Sequence, residues 1–370
     1  MIKVFDFFSG CGGTSKGFQQ AGMETVFAID NDAYAASTFI NNFAGAELLE
    51  KLHLTAPFPQ TSFLLKSIDE VPTETLAPLI DAIREQHHPL LFSGCAPCQP
   101  FSNQRTNRPE QDERVTLLAE FQRFVEHYLP EFVFVENVPG MQNVTGQEGP
   151  FEDFLHMLEN MNYFVRYKVV LAQKYGIPQR RKRLILIASR LGPIEFPVET
   201  HGPHADSPYS TLREWIGDLP PIEAGETHDT IPNHQSSALS KLNLRRIMAT
   251  PIGGDRRDWP EDLWLSCHSN GYTGHSDVYG RMKWDELANC LTTRCNGLSN
   301  GRFGHPEQHR AISSREAASI QTFPRDFVFE GGLSIVAKQI GNAVPVLLAE
   351  KFGENFYTHL ARYLPDNIDG

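Results

Sequence analysis

The feature that most constrains this chain is a repeated alternation, through its first half, of short apolar runs with stretches of helical length. Residues 4–8, 25–29, 62–65, 89–92, 132–135, 165–171 and 184–188 read as strands. Residues 14–21, 32–43, 74–85, 115–128 and 151–161 lie between them and read as helices. Strand, helix, strand repeated in this way predicts an α/β fold, a doubly wound mixed sheet with helices on both faces. Ligands of such sheets sit at the carboxyl ends of the strands. From about residue 191 the pattern changes: Pro, Gly, His, Asp and Arg become frequent, and clusters such as Thr250-Pro251-Ile252-Gly253-Gly254-Asp255 interrupt any long element. Regular signals return in residues 343–360, which read as one amphipathic helix. A chain of 370 residues can bury two cores. The division expected is a main domain of 1–190 plus 338–370, a second, smaller loop-rich lobe of 191–308, and a hinge of 309–337.

Composition narrows the class of protein. No apolar run approaches the roughly 20 residues of a membrane helix, and the segment Met1-Ile2-Lys3-Val4-Phe5-Asp6 lacks a secretory layout. A cytoplasmic protein with no membrane partner is expected. The six cysteines are read as free thiols, because nothing at this size suggests a disulfide scaffold. A net charge of −12 argues at first against a nucleic-acid partner. The charge is uneven, however. Residues 1–100 carry 5 Lys and Arg against 11 Asp and Glu, whereas residues 174–183 carry five bases and no acid. Arg245-Arg246 and Arg256-Arg257 add two basic pairs. A basic face on an acidic body is compatible with this sequence, so net charge does not decide the partner.

Four constellations carry chemistry. Asp6-Phe7-Phe8-Ser9-Gly10-Cys11-Gly12-Gly13 closes the first strand, and Asp30 closes the second. Glycines let backbone approach a ligand, and a strand-end carboxylate suits ribose hydroxyls. The spacing is not the dinucleotide fingerprint, since Ser15 stands where its third glycine belongs. A glycine-rich turn without a ligand is the alternative. Next, Gly94-Cys95-Ala96-Pro97-Cys98-Gln99-Pro100-Phe101-Ser102 follows a strand directly. Cys98 reads as a nucleophile in a turn at the ligand edge. Half a zinc site and a redox pair compete, but no second cysteine pair has zinc spacing, so no metal is expected. Third, Glu136 and Asn137 end an apolar strand. A carboxylate there suits proton transfer to a ring nitrogen, or merely caps the strand. Last, Gln179-Arg180-Arg181-Lys182-Arg183 leads into a strand. Arg181 and Arg183 would share one face of an extended chain, suited to phosphate or a base carbonyl, unless the run is simply solvated.

In this order the motifs resemble the C5-cytosine-specific DNA methyltransferases, of the bacterial modification-methylase type. The resemblance continues through Arg315-Glu316, Gln321-x-Phe323-Pro324 and Gln339-x-Gly341-Asn342-x-Val344-Pro345. It implies a Rossmann-like methyltransferase domain that takes S-adenosylmethionine and methylates carbon 5 of a flipped-out cytosine in a specific double-stranded sequence. By resemblance Phe8 stacks on the cofactor adenine, and Ser9, Gly10, Gly12 and Gly13 hold its methionine end. Asp30 takes the ribose, while Asn342 and Val344 complete the pocket. Cys98 forms the covalent adduct, Glu136 meets ring nitrogen 3, Arg181 donates to the base carbonyl and Arg183 supports it. Gln99, Ser102 and Asn137 would contact substrate. The loop-rich lobe would read DNA through Arg256, Arg257 and Arg294, with Arg245, Arg246, Asn270, Tyr272, Arg281, Thr292 and Thr293 as further candidates. One position departs from the family: Ser67 stands where an Asp usually reads the adenine, with Asp69 two residues on.

The partners implied are DNA and a restriction endonuclease acting independently of a monomeric, nucleoid-associated enzyme. Rival readings are a transfer-RNA cytosine methyltransferase, whose Cys-Phe-Thr signature is missing here, and a silent DNA-binding relative, opposed by Cys98, Glu136 and Arg181. A nicotinamide oxidoreductase would explain the glycine loop but not the cysteine and arginine motifs.

Overall fold

A computed structural model describes residues 1–49, 60–96, 116–140, 149–266 and 277–363. They form two compact units, one of 1–171, 182–198 and 348–370, the other of 172–181 and 199–347. The second therefore takes in 309–347 together with the loop-rich stretch.

The first unit is built on strands β1 (Lys3–Phe7), β2 (Glu24–Asp30), β3 (Ala46–Leu49), β4 (Thr61–Leu65), β5 (Leu90–Gly94), β6 (Phe132–Asn137), β7 (Phe164–Leu171) and β9 (Lys182–Ser189). A two-residue strand, β8 (Gln179–Arg180), falls between the last two and belongs to the second unit. The sheet order is β3-β4-β2-β1-β5-β6-β9-β7. Pairing is parallel from β3 to β6, and β9 runs antiparallel to both its neighbours. The carboxyl ends of β2, β1, β5 and β6 therefore share one edge, the edge where doubly wound sheets bind ligands.

Period-two side-chain alternation explains why the sheet is covered on both faces. Phe5 and Phe7 of β1 point to one side, with Phe92 ring centroids 5.1 and 5.4 Å away. Helices α3 (Ala77–Glu85), α4 (Thr116–Tyr128) and α5 (Pro150–Asn160) close that side, Phe121 and Phe124 of α4 standing 5.3 and 5.1 Å from Phe7. Phe132 and Phe134 of β6 point the other way. There α1 (Gly13–Gln20) contributes Phe18, 5.5 Å from Phe134, and α2 (Ala33–Asn42) contributes Phe39, 5.1 Å from Phe63. The long helix α10 (Val346–Tyr363) adds Phe352 and Phe356 on the same side. It begins three residues later than the sequence pattern suggests, because a separate helix ends at Asn342 and Pro345 intervenes.

The second unit holds short helices α6 (Leu212–Ile216), α7 (Lys241–Ala249), α8 (Ser314–Ile320) and α9 (Leu333–Asn342), and one small ladder between β8 and β10 (Ala288–Asn289). Irregular backbone leaves carbonyls without ladder partners, and buried arginine forks satisfy many of them here. Arg281 donates to the carbonyls of Thr250, Ile247, His305 and Gln308, and Arg315 to those of Pro232, Pro324 and Phe327. Burial lowers both guanidinium pKa values to about 10, so both stay charged at neutral pH. Arg310 instead meets Glu316 through two bonds of 2.7 Å, both side chains being buried. Among the described residues no helix is long and apolar enough to cross a membrane.

Candidate active site

The glycine loop leaves β1 through three left-handed residues: Phe8 (φ 61°), Gly10 (φ 52°) and Gly12 (φ 93°). A bulky residue at positive φ is strained, by about 1–2 kcal/mol, and such strain gathers where a loop must present itself to a ligand. The loop is tied to the neighbouring strand. Ser9 N–H donates to the Ile29 carbonyl at 3.0 Å, and Gly10 N–H donates to Asp30 Oδ2 at 2.8 Å. Asp32 N–H holds the other oxygen, Oδ1, at 2.9 Å. Burial raises the Asp30 pKa despite these backbone bonds.

The two glycines differ in what surrounds them. A Cβ on Gly12 would come within 2.6 Å of Phe43 and 2.9 Å of Phe39, so that glycine is needed for packing. A Cβ on Gly10 would meet nothing within 4 Å. Open space beside Gly10, the Asp30 carboxylate, and the amino end of α1 with no acid in its first turn together fit a nucleoside cofactor carrying ribose hydroxyls and a charged tail. Beyond β4, Ser67 donates its hydroxyl to Asp69, and Lys66 N–H bonds the Asp30 carbonyl at 3.1 Å.

Behind the loop lies a residue for which the sequence suggested no separate role. Asp6 is fully buried, with Ser15 Oγ of α1 donating to Oδ2 at 2.6 Å. Burial lifts its pKa to about 7, against the hydroxyls of Ser15 and Ser93. Next to it, the Cys95 thiol sits 3.8 Å from Thr14 Oγ1 and 3.9 Å from Ser93 Oγ. Burial pushes that thiol well above its usual range, which leaves it unsuited to act as a thiolate. An acid inside a glycine-rich strand exit was the available sequence signal.

Cys98, Gln99 and Ser102, together with Asn270 and Tyr272, lie outside the described residues. The approach to Cys98 is described as far as Ala96, whose carbonyl accepts from Asn137 Nδ2 at 3.2 Å, while Asn137 Oδ1 accepts Val138 N–H at 2.7 Å. Asn137, expected to contact substrate, thus bonds the backbone at its own strand end and the Ala96 carbonyl that leads to Cys98.

Glu136 stands at the carboxyl end of β6, opposite Ile185 of β9. Arg183 is two residues away on the same strand and face, the diagonal position of an antiparallel pair. Its Nε lies 2.7 Å from Glu136 Oε1, the two side chains being 13% and 10% exposed. Extended chain would put Arg181 on the same face as Arg183, with Arg181 as the donor to the base carbonyl and Arg183 supporting it. Here the chain leaves the small β8 ladder at Arg180 and enters the main sheet at Lys182. Arg181 falls at the break, and its guanidinium turns into the second unit. There it donates to the carbonyls of Leu291 (3.4 Å), Gly341 (3.2 Å) and Ala343 (3.0 Å).

In the second unit, most of the arginines expected at DNA bond to the protein itself. Arg281 and Arg246 are buried, the latter donating to the Leu263 carbonyl at 2.9 Å. Arg256 is 8% exposed and does not face solvent. Arg257 is exposed but holds Asp255 through bonds of 2.8 and 2.6 Å, and Arg245 pairs with Asp262 at 2.6 Å. Thr293 and Arg294 are exposed. Asn342 ends α9, and Val344 is buried in the turn after it.

Comparison with known proteins identifies the family. The C-5 cytosine-specific DNA methylase family matches residues 2–358. The type II methylase M.HgiDII of Herpetosiphon aurantiacus is 41% identical over 350 residues, covering 93% of this chain and 92% of that protein. The type II methyltransferase M1.HphI of Haemophilus parahaemolyticus is 31% identical, covering 95% and 86%. In fold, the chain is similar to the solved Entamoeba histolytica methyltransferase EhMeth, with a TM-score of 0.62 at 16% identity, covering 97% of this chain and 99% of that one. The chain belongs to the C-5 cytosine-specific DNA methylases, enzymes that transfer a methyl group from S-adenosylmethionine to carbon 5 of cytosine in DNA.

Proposed function

We propose that this enzyme works on a cytosine flipped out of a specific double-stranded sequence, with Cys98 as nucleophile and the Glu136–Arg183 pair as the binding site for the base. The observation that carries the reading is the ion pair at the carboxyl end of β6, on the same sheet edge as the Gly10 loop and Asp30. A duplex hides carbon 6 from any side chain, so the base has to leave the stack before it can react.

The pair offers a ring complementary groups. Glu136 holds a proton against ring nitrogen 3, and Arg183, in place of Arg181, donates to the ring carbonyl. Both draw electron density from the ring and open carbon 6 to addition by the Cys98 thiolate. The S–C6 bond forms as the ring double bond opens toward carbon 5. When bound, S-adenosylmethionine supplies the sulfonium methyl that carbon 5 accepts. Loss of the carbon 5 proton then restores the double bond and expels Cys98. Phe8, the Gly10–Gly13 backbone and Asp30 would hold the cofactor. Asn137 orients the cysteine loop through Ala96, so its part in the reaction is positional. Relatives that are type II methylases support a companion endonuclease reading the same site.

The test is to map 5-methylcytosine in DNA from cells expressing the chain, then repeat with Cys98→Ser. A DNA analogue with fluorine at carbon 5, which cannot leave as a proton does, should trap the wild type as a denaturant-resistant adduct. Trapping or methylation by Cys98→Ser would overturn the proposal.

A further inference from the structure

Three sequence motifs far apart in the chain meet in one polar knot inside the second unit. Arg181, 1% exposed, bridges two segments with its fork: Nη1 reaches the Leu291 carbonyl, and Nη2 reaches the Gly341 and Ala343 carbonyls. Gln179 accepts the Leu291 N–H at 3.2 Å and donates to Gln321 at 2.5 Å. Gln321 in turn donates to the Ile340 carbonyl at 2.7 Å. The two segments are packed backbone to backbone. A Cβ on Gly341 would come within 2.4 Å of the Thr292 carbonyl and 2.5 Å of Thr293 N, so only glycine fits. Immediately after the point where Arg181 and Gln179 grip Leu291, the chain turns outward and exposes Thr293 and Arg294.

We infer that Arg181 is a positioning residue for DNA binding: its fork holds residues 290–291 against the 341–343 turn, so that Thr293 and Arg294 are presented to the duplex, and it does not touch the base. A planar fork with fixed donors suits this task, since it spans carbonyls of two segments that a point charge on a flexible stem would not hold together. The inference rests on the reading above, in which Arg183 meets the base, and on the expectation from the family resemblance that Arg294 contacts DNA.

The experiment measures DNA affinity by fluorescence anisotropy on a short duplex carrying the mapped site, over a range of salt. Single-turnover methylation at saturating DNA and S-adenosylhomocysteine affinity are measured on the same preparations. Arg181→Lys keeps the charge and loses the fork. Gln179→Leu loosens the same segment without touching Arg181, and serves if Arg181→Lys does not fold. Either variant should weaken DNA binding about tenfold, as Arg294→Ala should, and flatten the salt dependence by about one unit of log–log slope. Combining Arg181→Lys with Arg294→Ala should add little, because both remove one contact. The saturated rate should stay within about threefold of wild type, as expected of a group absent from the transition state.

A rate that falls a hundredfold or so while DNA affinity holds would make Arg181 a base contact and overturn the inference. If Arg294→Ala binds DNA normally, the DNA-contact reading itself falls, and this inference with it. If Arg294→Ala weakens binding while neither Arg181→Lys nor Gln179→Leu does, only the positioning role is lost.

Discussion

Replacing Glu136 by Gln separates what the carboxylate does for the fold from what it does for the reaction. The two side chains of the Glu136–Arg183 pair are about a tenth exposed, and their closest approach is 2.7 Å. Gln has the same length and so keeps the packing at the end of β6, but it removes the carboxylate charge that faces Arg183. Arg183 keeps its Nη1 bond to the Lys182 carbonyl at 2.7 Å. What is lost is the charge of a largely buried ion pair, with the Arg183 guanidinium left charged, so stability should fall by about 3 kcal/mol. The reaction loses more. An amide has no proton to share with ring nitrogen 3 as the thiolate adds, and a positioned acid contributes about 10²–10⁴ in rate. At 1.36 kcal/mol per tenfold, that is roughly 3–5.5 kcal/mol of barrier. The assay is single-turnover transfer of labelled methyl from S-adenosylmethionine to unmethylated genomic DNA, with urea unfolding and S-adenosylhomocysteine binding measured alongside. A rate within about fivefold of wild type, with the fold intact, refutes a proton-holding role for Glu136.

Gly12→Ala drives a Cβ into Phe43 and Phe39 and should cost about 2 kcal/mol or more in urea unfolding. Gly10→Ala should cost only about 1 kcal/mol, as the backbone there is merely left-handed, yet weaken S-adenosylhomocysteine binding more than tenfold by calorimetry. Equal cofactor affinity in Gly10→Ala and wild type would sink the cradle reading. For Asp6, the raised pKa means the folded state keeps a proton that the unfolded chain releases above about pH 4. Stability should fall as pH rises from there to about 7, by up to about 1.4 kcal/mol per unit, and then level off. Asp6→Asn cannot ionise, so in urea titrations its advantage over wild type should grow between pH 5 and 7; a constant difference contradicts the burial argument. Asn137→Ala frees the Ala96 carbonyl and should slow Cys98 alkylation by iodoacetamide and methyl transfer together, with S-adenosylhomocysteine binding unchanged.

The strand–helix alternation, the glycine turn after the first strand, and the strand-end acids Asp30 and Glu136 were legible in the sequence. Each depends on local periodicity or on a residue type at the end of an apolar run. The elements that escaped lack those signals. Strand β3 is short and lies at the sheet edge with Leu48 exposed, and α8 is buried along its whole length, Arg315 and Glu316 included, so it has no amphipathic face. Which arginine meets Glu136 was a matter of tertiary structure. Arg181 and Arg183 are equivalent in an extended chain, but the backbone changes units between them, and each guanidinium follows its own. The same holds for the basic pairs of the loop-rich lobe, where Arg246 and Arg256 went inward and Arg245 and Arg257 met acids. A residue's charge is written in the chain, but whether it satisfies an orphan carbonyl, neutralises an acid or stays open to a ligand depends on the backbone folded around it.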